Sequence, residues 1–279
     1  MRDLMIPKSR HLPGWRDRLL VLFRRRNWWG FIRLYNLLKP IPCCRSLHVV
    51  TRYGSQFFLT PWDSVDTCVI SEGFYESEVL EAVRPALGPG AVLWVVGANF
   101  GLHAVTAKWL HPETQVVAFE PSPAMAARIL ENSELNGLTL DLHAYALGDR
   151  STILPFFANA SGNPGMSTLH PVATFTYDQR FMVATYSAAE VIRRGLAPPP
   201  TAMIVDVEGA EREVLGGFGL QLKATGLRVI VFEAPNDFLT TRKPDDLHAL
   251  VHEAGFTLQI LDRHEHTAHA LSNFMAIRP

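Results

Sequence analysis

The sequence predicts an α/β fold: a mostly parallel seven-stranded sheet with helices on both faces and a C-terminal antiparallel hairpin. Three observations predict it. An apolar run at 91–96 stops at the turn Gly97-Ala98-Asn99-Phe100-Gly101, and a helical pattern follows at 102–110. A second apolar run, 115–120, ends on Glu120, 19 residues after Gly101. Further apolar runs alternate with helical patterns, except the last pair, 256–261 and 273–278, which have no helix between them and must form a hairpin.

The elements follow in order. Residues 1–50 mix arginines with aromatic residues, with short helices expected at 16–23 and 28–38. Two readings fit them: a cap packed on the main domain, or a surface that lies on a membrane or partner. A hairpin is expected over 49–60, turning at Tyr53-Gly54-Ser55. Residues 63–74 read as irregular and polar. The stripe Val79, Leu80, Val83, Leu87 predicts a helix over 75–87, stopped by Gly88-Pro89-Gly90. Ser122 caps a helix with Pro123 at its first position, and Asn136-Gly137 ends it. The third core strand is expected at 140–145, followed by the turn Ala146-Leu147-Gly148-Asp149. Another strand at 151–157, a long loop at 158–171 and a short helix at 187–194 make an insertion around 150–200. Then come a strand at 202–207, a helix at 210–220, a strand at 227–233 and a helix at 244–254. The division expected is a cap, 1–60, and a main domain, 61–279.

A net charge of −1 argues against a nucleic-acid binder. The charge is uneven: residues 1–50 hold eleven Lys/Arg against two Asp/Glu. Peripheral membrane contact through residues 1–48 is therefore one expectation. Three cysteines form no paired framework, and adjacent Cys43 and Cys44 lack zinc spacing. No apolar run approaches the roughly 18 residues of a membrane span. A cytoplasmic location, with membrane association as an option, follows.

The glycine turn lies where a strand hands over to a helix, the usual approach of a nucleotide. A pyrophosphate asks for G-x-G-x-x-G at a helix N-terminus. Here the turn is G-A-N-F-G, which suits an adenosine ligand without phosphate, S-adenosylmethionine being the common one. Glu120 is placed to accept both ribose hydroxyls. The plain alternative is a structural turn whose glycines serve packing.

With these motifs the sequence resembles the FkbM-type S-adenosylmethionine-dependent methyltransferases. The matching stretches are F-Y-E at 74–76, V-G-A-N-F-G at 96–101, A-F-E-P-S-P at 118–123, A-L-G-D at 146–149 and I-V-D-V-E-G-A-E at 204–211. The segment S-G-N-P-G-M-S-T-L at 161–169 is similar to that family's Gly/Ser-rich loop. The resemblance implies a Rossmann-like class I methyltransferase fold and O-methylation of a hydroxyl on a sugar, glycolipid or polyketide-like acceptor. It implies cofactor contacts from Gly97, Ala98, Asn99, Gly101, Glu120 and Pro121, with Ala146 beside the adenine. One departure stands out: Val95 occupies the position where the family usually carries an acid that helps hold the methionine end. Glu76 is a substitute carboxylate; a degenerate, non-catalytic member is the other reading.

Methyl transfer needs an acceptor oxygen in line with the methyl, and a base for its proton. Asp206, Glu208 and Glu233, all at strand ends, are the candidate bases, with Asp206 also beside the cofactor. Their plain roles are helix capping for Glu208 and ion pairing with a buried base. Mg²⁺ among these acids is permitted but not demanded, and no metal ligand is assigned. His103 is expected to hydrogen-bond within the core, and His264, His266 and His269 to sit on a solvated turn. A binding or scaffold protein on the same fold is the main alternative. An NAD-dependent oxidoreductase ranks last, since fold alone does not decide function.

Overall fold

The computed structural model describes residues 46–60, 63–159, 164–171, 173, 176–224, 226–235, 238–239, 247–263 and 271–278. The helices expected at 16–23 and 28–38, most of the 1–48 surface, Cys43, Cys44 and the three histidines at 264, 266 and 269 lie outside these residues.

The chain enters through an antiparallel hairpin, β1 (Leu47–Val50) and β2 (Gln56–Leu59). Alternation buries Leu47, Val49, Phe57 and Leu59. The stretch expected to be irregular is a helix, α1 (Ser64–Glu72). The Asp63 carboxylate accepts the Val65 N–H at 2.9 Å, and Gly73 at φ 88° closes the far end. Only Asp66, Val69 and Ile70 of this helix are buried, so its pattern is weakly amphipathic and reads as loop. Arg128 brings Asp66 into the interior by meeting its carboxylate at 2.6 Å. Helix α2 (Ser77–Val83), prolonged by a 3₁₀ turn to Ala86, buries the expected Val79, Leu80 and Val83.

The main sheet runs β11-β12-β10-β9-β3-β4-β5. Its strands are β3 (Val92–Val96), β4 (Gln115–Phe119), β5 (Asp141–His143), β9 (Ala202–Val205), β10 (Val229–Pro235), β11 (Thr257–Arg263) and β12 (Leu271–Ile277). All pairings are parallel except those of β12 with β10 and β11. This is the expected seven-stranded, Rossmann-like sheet with its C-terminal hairpin. Alternation along β3 divides the core. Leu93 and Val95 pack with the hairpin, α1, α2, α3 (Leu102–Leu110) and α4 (Pro123–Leu135). Trp94 and Val96 pack with α5 (Ala188–Arg193), α6 (Glu211–Gly216), α7 (Gln221–Ala224) and α8 (Leu247–Glu253). The helix expected over 210–220 ends at Gly216, and a further short helix, α7, follows at Gln221–Ala224. Among the described residues no helix is long and apolar enough to cross a membrane.

The insertion holds a second sheet. Strands β6 (Ala146–Gly148), β7 (Thr152–Ala158) and β8 (Gln179–Ser187) lie in the order β6-β8-β7. The A-L-G-D segment, expected as a turn, is therefore a strand, held by parallel pairing with Thr185–Ser187 far along the chain.

Strand order reverses between β3 and β9, which places a crevice at their carboxyl ends. Gly97 closes on that crevice at φ 78°, and a Cβ there would overlap the Asp206 carbonyl oxygen. Gly97→Ala is expected to cost about 3 kcal/mol or more, through left-handed strain plus this overlap. Urea unfolding of the two proteins measures it; a cost near zero would contradict the contact.

Candidate active site

A cleft opens at the crevice. Gly97, Asn99, Glu120, Pro121, Ala146 and Asp206 line it, six of the residues singled out from sequence. Ala98 and Gly101 do not. Gly101, at φ 92°, caps α3, and the space beside its Cα is closed by Val105 and Ile129. Its requirement for glycine comes from this left-handed backbone as well as from packing. The cleft also contains residues that sequence reasoning missed: Met125 from the first turn of α4, Phe156 from β7, and Gly165, Ser167 and Leu169 from the loop. The loop residues had a signal in the 161–169 segment. Met125 had one in its place one turn after the Ser122 cap.

Backbone hydrogen bonds fix the glycine turn. The N–H groups of Gly97 and Ala98 both donate to the Phe119 carbonyl, at 3.0 and 3.1 Å. The Glu120 carboxylate accepts the Asn99 N–H and the Ser122 N–H, each at 2.8 Å. It thereby joins the turn to the N-terminus of α4. Each oxygen keeps a second lone pair for a ligand hydroxyl. Burial raises this carboxyl to about 7, against the pull of the two N–H donors. Asn99 sits at φ 50° and lines the cleft, and its Oδ1 is buried with no partner among the described residues. An orphaned acceptor in a cleft calls for a donor from outside the protein.

Acids gather at the adjoining strand ends. Asp206 faces the solvent of the cleft and is otherwise walled by protein. Burial and then the Glu76 charge hold its carboxyl up at about 7. Glu208, at φ 54°, and Glu233 stand beside it without lining the cleft. Both are pushed well above the usual carboxylate range, first by burial and then by the Asp206 charge. The Tyr75 hydroxyl bonds to Glu76 and is raised in turn by burial and these acids. The helix capping expected of Glu208 is not made: α6 has no side-chain cap, and Glu211 Oε1 instead accepts the Val207 and Gly209 N–H groups of the preceding turn at 3.2 and 3.3 Å. Among the described residues, Asp206, Glu208 and Glu233 form no ion pair with lysine or arginine. Nor does any group of three or more His, Cys, Asp or Glu there have the arrangement of a metal site.

Val95 is 2% exposed, packed in the apolar layer that also holds Val79 and Leu80 of α2. On that face of the sheet the nearest acid is Glu76, at the N-terminus of α2; it does not line the cleft, but its charge acts on Asp206, which does. The hydrogen bond expected of His103 is not made by its buried Nδ1 among the described residues: the ring meets Phe74 edge-on at 5.6 Å, and burial lowers its pKa to about 4. The 158–171 loop is anchored. Thr168 exchanges backbone bonds with Phe157 at 2.9 Å, and its hydroxyl donates to the Glu208 carbonyl at 2.9 Å.

The strand order and the cleft at its reversal define a class I methyltransferase fold. Residues 96–258 match the methyltransferase FkbM domain. The chain belongs to the FkbM methyltransferase family. It is 30% identical over 185 residues to hexuronic acid methyltransferase AglP of Haloferax volcanii, covering 66% of this chain and 71% of that one. It is 30% identical over 147 residues to methyltransferase 1 of Beauveria bassiana, covering 43% of this chain and about half (55%) of that relative. Among solved structures it is similar to magnesium protoporphyrin IX methyltransferase of Synechocystis, at a TM-score of 0.46 and 11% identity over 97% of this chain and 100% of that one.

The acid cluster predicts a pH response. A carboxyl raised on folding contributes stability that is full below its unfolded value and lost as pH rises through the folded one. With Glu120, Asp206 and Glu211 at about 7, Glu208 at about 8 and Glu233 at about 9, the thermal midpoint should fall as pH rises through that window. Glu233→Gln should flatten the upper part of the fall. Calorimetric scans across the range check it; a midpoint that climbs with pH would contradict the cluster's electrostatics.

Proposed function

We propose that the protein is an S-adenosylmethionine-dependent O-methyltransferase acting on a hydroxyl of a sugar or sugar-bearing small molecule. The observation that carries this reading is the pairing, in one cleft, of Glu120 and the orphaned Asn99 Oδ1. Two acceptors at the ends of adjacent strands suit the donor hydroxyls of a ribose, and the G-A-N-F-G turn offers no phosphate cradle. Family membership supports methyl transfer, and the name of the AglP relative supports a sugar acceptor.

When bound, S-adenosylmethionine supplies a methyl group on a sulfonium, an excellent leaving group. The chain's part is orientation and proton handling. Glu120 and Asn99 hold the ribose, and Phe119, Met125, Ala146 and Leu147 give the adenine an apolar slot. Glu76 takes the methionine ammonium, the role for which Val95 has no charge. Asp206 receives the acceptor's hydroxyl proton as the oxygen attacks, and its raised pKa, about 7, suits a base near neutrality. Glu208 and Glu233 orient the acceptor's other hydroxyls.

Calorimetric titration with S-adenosylhomocysteine and with NAD tests the cofactor. Binding of the first alone, abolished by Glu120→Ala, is expected; binding of NAD instead would sink the reading. Glu76→Gln should weaken S-adenosylhomocysteine about tenfold, the value of one charge-assisted hydrogen bond, and leave methylthioadenosine, which lacks the ammonium, unchanged. Equal losses for both ligands would remove Glu76 from this role. A screen of hexoses, hexuronic acids and glycolipids, read by mass spectrometry for one added methyl, tests the acceptor. Cofactor binding with no turnover on any of them would favour a binding protein on the same fold.

A further inference from the structure

Helix α4 carries an unusual set of buried polar side chains. Asn132 is 0% exposed and Asn136 is 9% exposed, and both lie on the face turned to the hairpin. Their partners are backbone groups of β2. Asn136 Oδ1 accepts the Gln56 N–H at 2.8 Å, and its Nδ2 donates to the Gln56 carbonyl at 2.6 Å. Asn132 Oδ1 accepts the Phe58 N–H at 2.9 Å, and Arg128 donates to the Phe58 carbonyl at 3.4 Å. The side chains of α4 thus act as the strand that the outer edge of β2 lacks. The spacing allows it: four helical residues rise about 6 Å, and two strand residues about 6.7 Å. Positions 136 and 132 therefore step in register with positions 56 and 58, and the longer Arg128 reaches back to the Phe58 carbonyl.

The same helix face also grips the cofactor turn. Asn132 Nδ2 donates to the Phe100 carbonyl at 3.0 Å. Phe100 precedes the Gly101 cap and is 1% exposed, so Asn132 meets a buried carbonyl that α3 does not use. The Arg128 guanidinium lies 4.6 Å from the Phe100 ring centroid, and Ile129 packs on Gly101. Phe100 is held by its ring and by its carbonyl, and the Asn132 amide that takes the carbonyl has its other end on the hairpin.

We propose that Asn132 is a positioning residue: it ties the G-A-N-F-G turn to the hairpin edge and thereby sets the geometry in which Asn99 and Glu120 meet the cofactor. The hairpin, which lies outside the region matching the family domain, becomes part of the cofactor site without touching the ligand. The effect on affinity rests on the cofactor reading above; the clamp itself does not.

Two variants separate the clamp from ordinary stability. Asn132→Asp keeps an acceptor for the Phe58 N–H but sets an oxygen against the Phe100 carbonyl. Asn136→Ala removes the bonds to Gln56 and none to the turn. Asn132→Asp should weaken S-adenosylhomocysteine binding about tenfold, the value of one lost buried hydrogen bond. In the ligand-free protein it should also speed hydrogen exchange at the Asn99 and Gly101 amides. Asn136→Ala should lower the thermal midpoint yet leave affinity and those two amides as they were. If Asn132→Asp does not fold, Asn132→Ser, too short to span both backbones, takes its place. Equal changes in both variants, or none in either, would overturn the proposal. Should the unaltered chain bind no S-adenosylhomocysteine, the cofactor reading falls and amide exchange alone decides the clamp.

Discussion

The close approach of Gly97 to the Asp206 carbonyl is the contact on which the rest of the site depends. Strands β3 and β9 run parallel and adjacent, and both chains must leave the sheet at the same level. A side chain at 97 would push them apart. With none, the turn after β3 folds over the sheet end and returns to α3, and Asp206 is left facing the cleft it bounds. Glu120 then secures the other side by accepting N–H groups from the turn and from α4. Two local facts, a missing Cβ and a bridging carboxylate, give three strand ends one fixed geometry.

Placing acids at those ends carries an electrostatic penalty. The Glu76 charge raises the carboxyls of Asp206, Glu208 and Glu233, the Asp206 charge raises those of Glu208, Glu211 and Glu233, and the ion pairs of the described core lie elsewhere, at Asp63, Asp66 and Arg128. Such repulsion is tolerated where a site must receive positive charge or share protons with hydroxyls. A sulfonium with an ammonium beside it relieves it; a further carboxylate would add to it. The charge of the cluster therefore favours a positively charged ligand over an anionic one.

The frame was legible in the sequence because its signals are local. Glycine turns, the Ser122-Pro123 cap and apolar runs of strand length each act over a few residues, and they located the core strands to within a few positions. Glu120 and Asp206 could be read because a carboxylate at the end of a buried run has few reasons to be there. What escaped was non-local or masked by polarity. Ala146–Gly148 is a strand only because Thr185–Ser187 pairs with it, and nothing within three residues can announce that. Helix α1 was hidden because its inward acid, Asp66, is matched by Arg128, 62 residues away. Polar composition over 63–74 read as irregular, and the caps Asp63 and Gly73 emerge only with the structure. The cleft wall from Phe156 to Leu169 follows from the same missed sheet.

Asparagines 132 and 136 tie the region matched by the family domain, 96–258, to the hairpin that precedes it. On an isolated α4 they would place two amides on an apolar face, each leaving polar atoms to be desolvated without partners, at about 1–3 kcal/mol per group. The hairpin at 47–59 supplies those partners, and its own outer edge would otherwise stand open. At the other end of the chain, β12 sits between β10 and β11 and is the only link between them in the sheet. Both flanks thus hydrogen-bond to groups inside 96–258: β12 to the backbone of β10, and the hairpin to the side chains of α4. The turn that faces the cleft is therefore held from outside the matched region, through a helix whose polar residues make sense only once the hairpin is in place.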